Sequence, residues 1–94
     1  MFAPTKTNYT LPKINLNGTS AESLFDEYID AQRAIRKALQ MLQECTCHGR
    51  DFQCNPPGDY NQASFERADI LAKLDDALDY CQAWIDNANE AMER

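Results

Sequence analysis

No window of the 94 residues approaches the roughly 18 to 20 consecutive apolar residues that a membrane span needs. The N-terminus also lacks the charged-then-apolar order of a secretory leader. A cytosolic chain is the expectation, and there thiols stay reduced, so the four Cys are not by default two disulfides. Basic residues are scarce, 9 against 15 acidic, for a net charge of −6. That balance argues against a protein that grips nucleic acid through its phosphates, which takes clustered Lys and Arg. There is a single His, and no internal repeat or low-complexity segment.

What is present is an apolar pattern. At 44% hydrophobic and 26% charged the composition is that of a globular chain, so the apolar residues must find a partner surface. A chain this short buries little on its own, and oligomerisation is the simplest way to cover the remainder.

Residues 1–18 contain Pro4, Pro12 and Gly18 and show no helical period. They read as an extended arm, either a tail or a strap that packs Phe2, Tyr9, Ile14 and Leu16 onto the helices. Residues 1–21 carry Lys6 and Lys13 and no acid, so the arm is suited to lie along an acidic helix.

Thr19 with Glu22 three residues on predicts a capping box and a helix over about 19–46. Leu24, Tyr28, Ala31, Ile35, Ala38, Leu42 and Cys45 follow in heptad steps, with Phe25, Ile29, Leu39 and Met41 widening the face. Pro56-Pro57-Gly58 blocks an earlier start, and Asp59 with Gln62 can cap a second helix over about 60–92. Its seam is Leu71, Leu74, Leu78, Cys81, Ile85, Ala88 and Met92, flanked by a stripe of Ile70, Ala77, Trp84 and Ala91 that is left over for other subunits. The expected fold is therefore all-α: an antiparallel two-helix hairpin over 19–94 with its turn at 47–59, an extended arm over 1–18, and oligomerisation through the heptad seams.

Chemistry-bearing residues collect at the turn. Cys45, Cys47, His48 and Cys54 lie within ten residues, but their spacing is not that of two chelating pairs, and Cys45 falls on the helical seam. No metal or cofactor is expected. Cysteine catalysis by Cys47 or Cys54 with His48 lacks a third residue to orient the imidazole and a donor pair for an oxyanion, so no catalytic residues are assigned.

His48-Gly49-Arg50-Asp51-Phe52 offers a guanidinium fork for phosphate or carboxylate and an aromatic face. The plainer reading of the same residues is a helix C-cap, with Gly49 left-handed and Arg50 paired to an acid. Thr19 and Ser20 stand at a helix N-terminus, a place where an anion can be held. The two groups lie at opposite ends of the first helix, roughly 40 Å apart at 1.5 Å per residue. Only head-to-tail subunits bring them into one cleft, there with Tyr28 and Tyr9. The acids of the second helix, Asp69, Asp75, Asp76, Asp79 and Asp86, read either as a solvated face or as a surface that occupies another protein's basic groove.

Asn17-Gly18-Thr19-Ser20 at the helix start and His48-Gly49-Arg50-Asp51-Phe52 at the turn resemble a group of small, uncharacterised bacteriophage and prophage proteins. The resemblance spans about 15–90 and departs at Cys47, where Pro is commoner, and at the additional Cys54. The plan of arm, helix, tight turn and helix is more distantly similar to the phage anti-CBASS cyclic-nucleotide sponges, although their Ser-Arg-Glu turn is not present here. The likeness is one of architecture, and the reading that joins it to the residues at the two ends is a non-enzymatic, oligomeric anti-defence protein of the host cytoplasm. It would sequester a small phosphorylated or cyclic-nucleotide messenger between subunits, with no nucleic-acid or membrane partner. Thr19, Ser20, Tyr28, His48, Gly49, Arg50, Phe52 and Tyr9 are the expected ligand contacts. The alternatives are an inhibitor of a host defence protein, such as an anti-CRISPR acting through the acidic helical face, and a phage accessory protein without a ligand.

Overall fold

The structure, a computed structural model, describes residues 9–93. Two helices make the hairpin, α1 over Ala21–Glu44 and α2 over Asp59–Met92, and a short 3₁₀ turn, Gly49–Phe52, lies between them. The rod measures 61 × 22 × 19 Å. No described helix is long and apolar enough to cross a membrane.

α1 starts one residue later than a Thr19 cap requires. Ser20 is the N-cap, in extended geometry, and its Oγ accepts from the Ser23 backbone N–H at 3.1 Å. Both Thr19 and Ser20 are cap formers, and the capped N–H lies three residues beyond whichever one is used. The helix closes at Glu44 because Cys45 turns to extended backbone. Gly49 is therefore not a left-handed C-cap. Among the described residues Gly58 is the positive-φ glycine, at φ 97°, and it rather than Asp59 is the N-cap of α2. Asp59 is the first helical residue, and its carboxylate accepts from Asn55 Nδ2 at 3.1 Å.

The α2 seam packs as its period requires. Its four central positions, Leu78, Cys81, Ile85 and Ala88, are the buried core, between 0 and 7% exposed. On α1 the seam holds at Leu24, Tyr28, Ile35 and Leu42, and its intervening positions are displaced by one residue. Ala31, Ala38 and Cys45 are exposed, whereas Gln32 and Leu39 are half-buried beside Tyr28, Ile35 and Leu42. Gln32 occupies the interface because Nε2 reaches the Leu78 carbonyl at 3.2 Å and Gln82 Oε1 at 3.0 Å, which satisfies a polar group there.

The burial is uneven because a third layer covers only one end. Residues 9–14 run along α2 as a strap: Asn87 Nδ2 donates to the Pro12 carbonyl at 3.0 Å, and the Tyr9 ring meets Tyr80 edge-on with centroids 5.2 Å apart. This strap and Tyr28 cover the Trp84 and Ala91 part of the flanking stripe, which is thus not left over for other subunits. Ile70, at 47%, stays exposed, as do Met41 (58%) and Phe65 (75%) at the turn end. Of the apolar arm residues, Ile14 is half-buried, Leu16 is fully exposed, and Phe2 lies outside the described residues.

All four cysteines are free. Burial raises the Cys81 thiol above its ordinary pKa, and it is 4% exposed, so little thiolate forms there. Under mildly alkaline conditions iodoacetamide is expected to label Cys45 and Cys54 first, then half-buried Cys47, and Cys81 only on unfolding. Peptide mapping by mass spectrometry reads the order, and equal rates at Cys81 and Cys54 would contradict this packing.

Candidate functional site

The expected ligand contacts divide into two groups, and α1 keeps them apart. Its 24 residues span about 36 Å at 1.5 Å per residue. Thr19, Ser20, Tyr28 and Tyr9 belong to the strap end, while His48, Gly49, Arg50 and Phe52 form the turn.

At the strap end the aromatic rings form a cluster. Tyr28 lies flat on Trp84, with centroids 4.6 Å apart and planes 9° from parallel. Tyr80 contacts Tyr28, Trp84 and Tyr9 at 6.2, 6.1 and 5.2 Å, edge-on or tilted. The spacings explain the grouping: Tyr80 and Trp84 are four apart on α2 and so share a face, and the interhelical register brings Tyr28 opposite them. Burial raises the Tyr28 hydroxyl above its usual pKa, helped by its hydrogen bond to Tyr80. Tyr9 is also raised, by desolvation first and then by the Asp76 and Asp79 carboxylates. Both phenols therefore remain neutral donors well beyond neutral pH.

Two hollows flank the strap. One, of about 240 Å³, is walled by Trp84, Leu24, Thr19, Gly18 and the strap residues Pro12 to Asn15. The other, about 450 Å³, lies between Leu11 to Ile14 and Ala21, Asn87, Glu90 and Ala91. The Trp84 indole N–H is shut off from solvent and has no hydrogen-bond partner. Ser20 is committed to its cap, whereas Thr19 faces the smaller hollow.

The turn is a compact 3₁₀ unit held by its own backbone. Asp51 Oδ2 accepts from the His48 N–H at 3.1 Å, and the Asp51 N–H donates to the His48 carbonyl at 3.0 Å. Phe52 rests on Tyr60, centroids 5.8 Å apart, so it anchors the turn on α2. Arg50 is exposed and is in no ion pair; among the described residues the ion pairs are Asp30–Arg33 and Asp69–Lys73. The acid-paired Arg50 of the C-cap reading is therefore not found. No three His, Cys, Asp or Glu side chains gather as a metal site among the described residues.

Two residues central to this arrangement were not among the expected contacts. Arg67 extends the α2 seam four positions before Leu71, and its Nη2 donates to the carbonyls of Leu42, Gln43 and Cys45 at the end of α1. An Arg in register with a leucine seam is the sequence signal for such a cap. Trp84 was expected in a flanking stripe turned to other subunits, yet it forms the wall of the cluster within the chain.

No family model matches the chain, nor does any curated protein or solved structure.

Proposed function

We propose that the chain is a non-enzymatic, self-associating binding protein of phage origin that counters host defence by sequestering a small phosphorylated or cyclic-nucleotide messenger. The observation that carries this reading is the division of the binding groups. Flat aromatic surface and Thr19 lie at one end of the rod, and the exposed, unpaired Arg50 lies at the other. A ligand with both a base and a phosphate is served by both only when copies pack head to tail. Exposed Met41, Phe65 and Ile70 beside the turn supply apolar surface that such packing would cover. The likeness of plan to the anti-CBASS sponges supports the choice of ligand class, and the resemblance to the phage proteins supports the phage origin and with it the host cytoplasm.

Calorimetry against cyclic dinucleotides, cyclic trinucleotides and ADP-ribose derivatives tests the reading, with native mass spectrometry to count subunits. One of these ligands is expected to bind a multimer, and Arg50→Ala should weaken it roughly tenfold or more by removing charge-assisted hydrogen bonds to phosphate. Absence of heat with every ligand, or binding to a monomer that is indifferent to Arg50, overturns it. A stoichiometric host protein retained in a pull-down would favour the inhibitor alternative.

A further inference from the structure

We infer that Asn17 is a site of spontaneous covalent modification, at which the side-chain amide is converted through a cyclic imide to isoaspartate and aspartate, and that this alters the joint between the strap and α1. The inference needs neither a ligand nor a second copy.

The sequence contains one Asn-Gly pair, Asn17-Gly18. It lies in an exposed turn closed by the Gly18 N–H on the Asn15 carbonyl at 3.2 Å. The reaction requires a carboxamide that can swing onto the following nitrogen, and among the described residues the Asn17 side chain has no hydrogen-bond partner. Most of the other asparagines are committed. Asn15 bonds the Lys13 carbonyl and the Asn17 N–H, Asn55 bonds Asp59, Asn87 the Pro12 carbonyl and Asn89 Glu93. Asn55 also precedes Pro56, which has no N–H to give up. Asn61 has no side-chain bond either, but the nitrogen that follows it, that of Gln62, is held on the Gly58 carbonyl at 3.0 Å as α2 begins.

The nitrogen must also be approachable. Gly18 has no Cβ to stand in the way, and the one hydrogen bond on its N–H, in an exposed turn, opens at little cost. The deprotonated Gly18 nitrogen bonds to Asn17 Cγ and ammonia leaves, closing the imide. Water then opens the ring. Cleavage at the backbone carbonyl leaves the chain running through Cβ and Cγ as isoaspartate, and cleavage at the side-chain carbonyl gives aspartate. One water is consumed and one ammonia released, with no change of oxidation state.

Both products place a new carboxylate three residues before the Ser20 N-cap. Isoaspartate also inserts a carbon into the main chain between the Asn15 carbonyl and the Gly18 N–H, so the bond that closes this turn is lost. The strap enters the turn at Ile14 and Asn15, and its path onto α2 should shift in consequence.

Incubation of the folded chain in mildly alkaline buffer, followed by peptide mapping, tests the inference. The Asn17 peptide should gain about 1 Da, the difference between an amide and an acid, ahead of every other asparagine. Electron-transfer fragmentation should identify isoaspartate beside aspartate, and H₂¹⁸O should leave one ¹⁸O in each. Gly18 does not have positive φ, and a Cβ there would meet Asn15 at 3.6 Å or more, an ordinary contact, so Gly18→Ala should fold as the parent does. It should react about tenfold more slowly, because the methyl group obstructs the nitrogen and narrows its backbone freedom. In the purified isoaspartyl form the amide resonances of residues 10–16 should move while those of Gly49–Phe52 stay in place. Conversion of Asn61 or Asn89 as fast as that of Asn17, an unchanged rate in Gly18→Ala, or aspartate without isoaspartate overturns the modification. Strap resonances that do not move in the isoaspartyl form overturn its effect on the joint.

Discussion

Replacing Trp84 by alanine is expected to destabilise the hairpin more than any other single change outside the four core positions, by about 3 kcal/mol. Large aromatic-to-alanine truncations in cores cost roughly 3–5 kcal/mol, and Trp84 belongs at the lower edge of that range because it is half-buried. Two contributions combine. Apolar area is lost against Leu24 and the strap, and ring contacts with Tyr28 and Tyr80 are lost at about 0.5–1.5 kcal/mol for each favourable pair. An opposing effect reduces the total: the indole N–H has no partner, so its removal relieves a desolvation cost. Trp84→Phe therefore separates the two, since it retains most of the ring contact and drops the unsatisfied donor, and it should cost less than about 1.5 kcal/mol. For a domain of this size the alanine variant should melt roughly 12 to 20 °C lower. Thermal denaturation followed by far-ultraviolet circular dichroism reads both variants, and a near-wild-type melt for Trp84→Ala would mean that the aromatic cluster does not hold the strap end together.

The α2 seam was legible because every one of its positions from Leu71 to Met92 is apolar and in heptad register, so that period alone identifies the buried face. On α1 the same procedure put Ala31 and Ala38 on the seam, left Leu39 to its flank and passed over Gln32. Hydrophobicity ranks Ala above Gln, but Gln32 becomes an interface residue once a carbonyl and an amide stand opposite it, and those belong to the other helix. Thr19 and Ser20 are both good caps, and local rules do not choose between adjacent cap formers. The strap has no period at all. Its placement comes from Asn87 reaching Pro12 and Tyr80 meeting Tyr9, pairings 75 and 71 residues apart in the chain, which no local pattern carries. The same limit applies to the candidate site: Arg50 and Thr19 were visible as residue types, while the Tyr28–Trp84 wall depends on interhelical register.

Arg67→Ala is expected to be the other large effect, and it acts at the opposite end of the rod. α1 has no basic residue in its last turn to meet its carbonyls, and α2 supplies one instead. Arg67 Nη2 lies 3.1 Å from the Leu42 carbonyl, 2.6 Å from that of Gln43 and 3.2 Å from that of Cys45. One nitrogen has two hydrogens, so three acceptors share them, and the whole is worth about two charge-assisted bonds rather than three. Such bonds contribute roughly 1.5–3 kcal/mol each where water is excluded. Gln43 and Cys45 are exposed, however, and water replaces the guanidinium there, which brings the expected loss to about 2 kcal/mol. The positive charge also opposes the negative end of the α1 dipole, so Arg67→Lys should recover about half of the loss through charge alone. Hydrogen exchange distinguishes a local cap from a global contribution: the amides of the last α1 turn should exchange faster in Arg67→Ala than the loss of global stability accounts for. Arg67 and Trp84 are 17 residues apart on one helix, about 25 Å, well beyond the range at which substitutions couple. The double variant should therefore lose the sum of the two, about 5 kcal/mol, to within roughly 0.5 kcal/mol. A markedly smaller combined loss would show that the two ends of the rod do not unfold as one cooperative unit, and that the strap-covered end holds its structure when the turn end has opened.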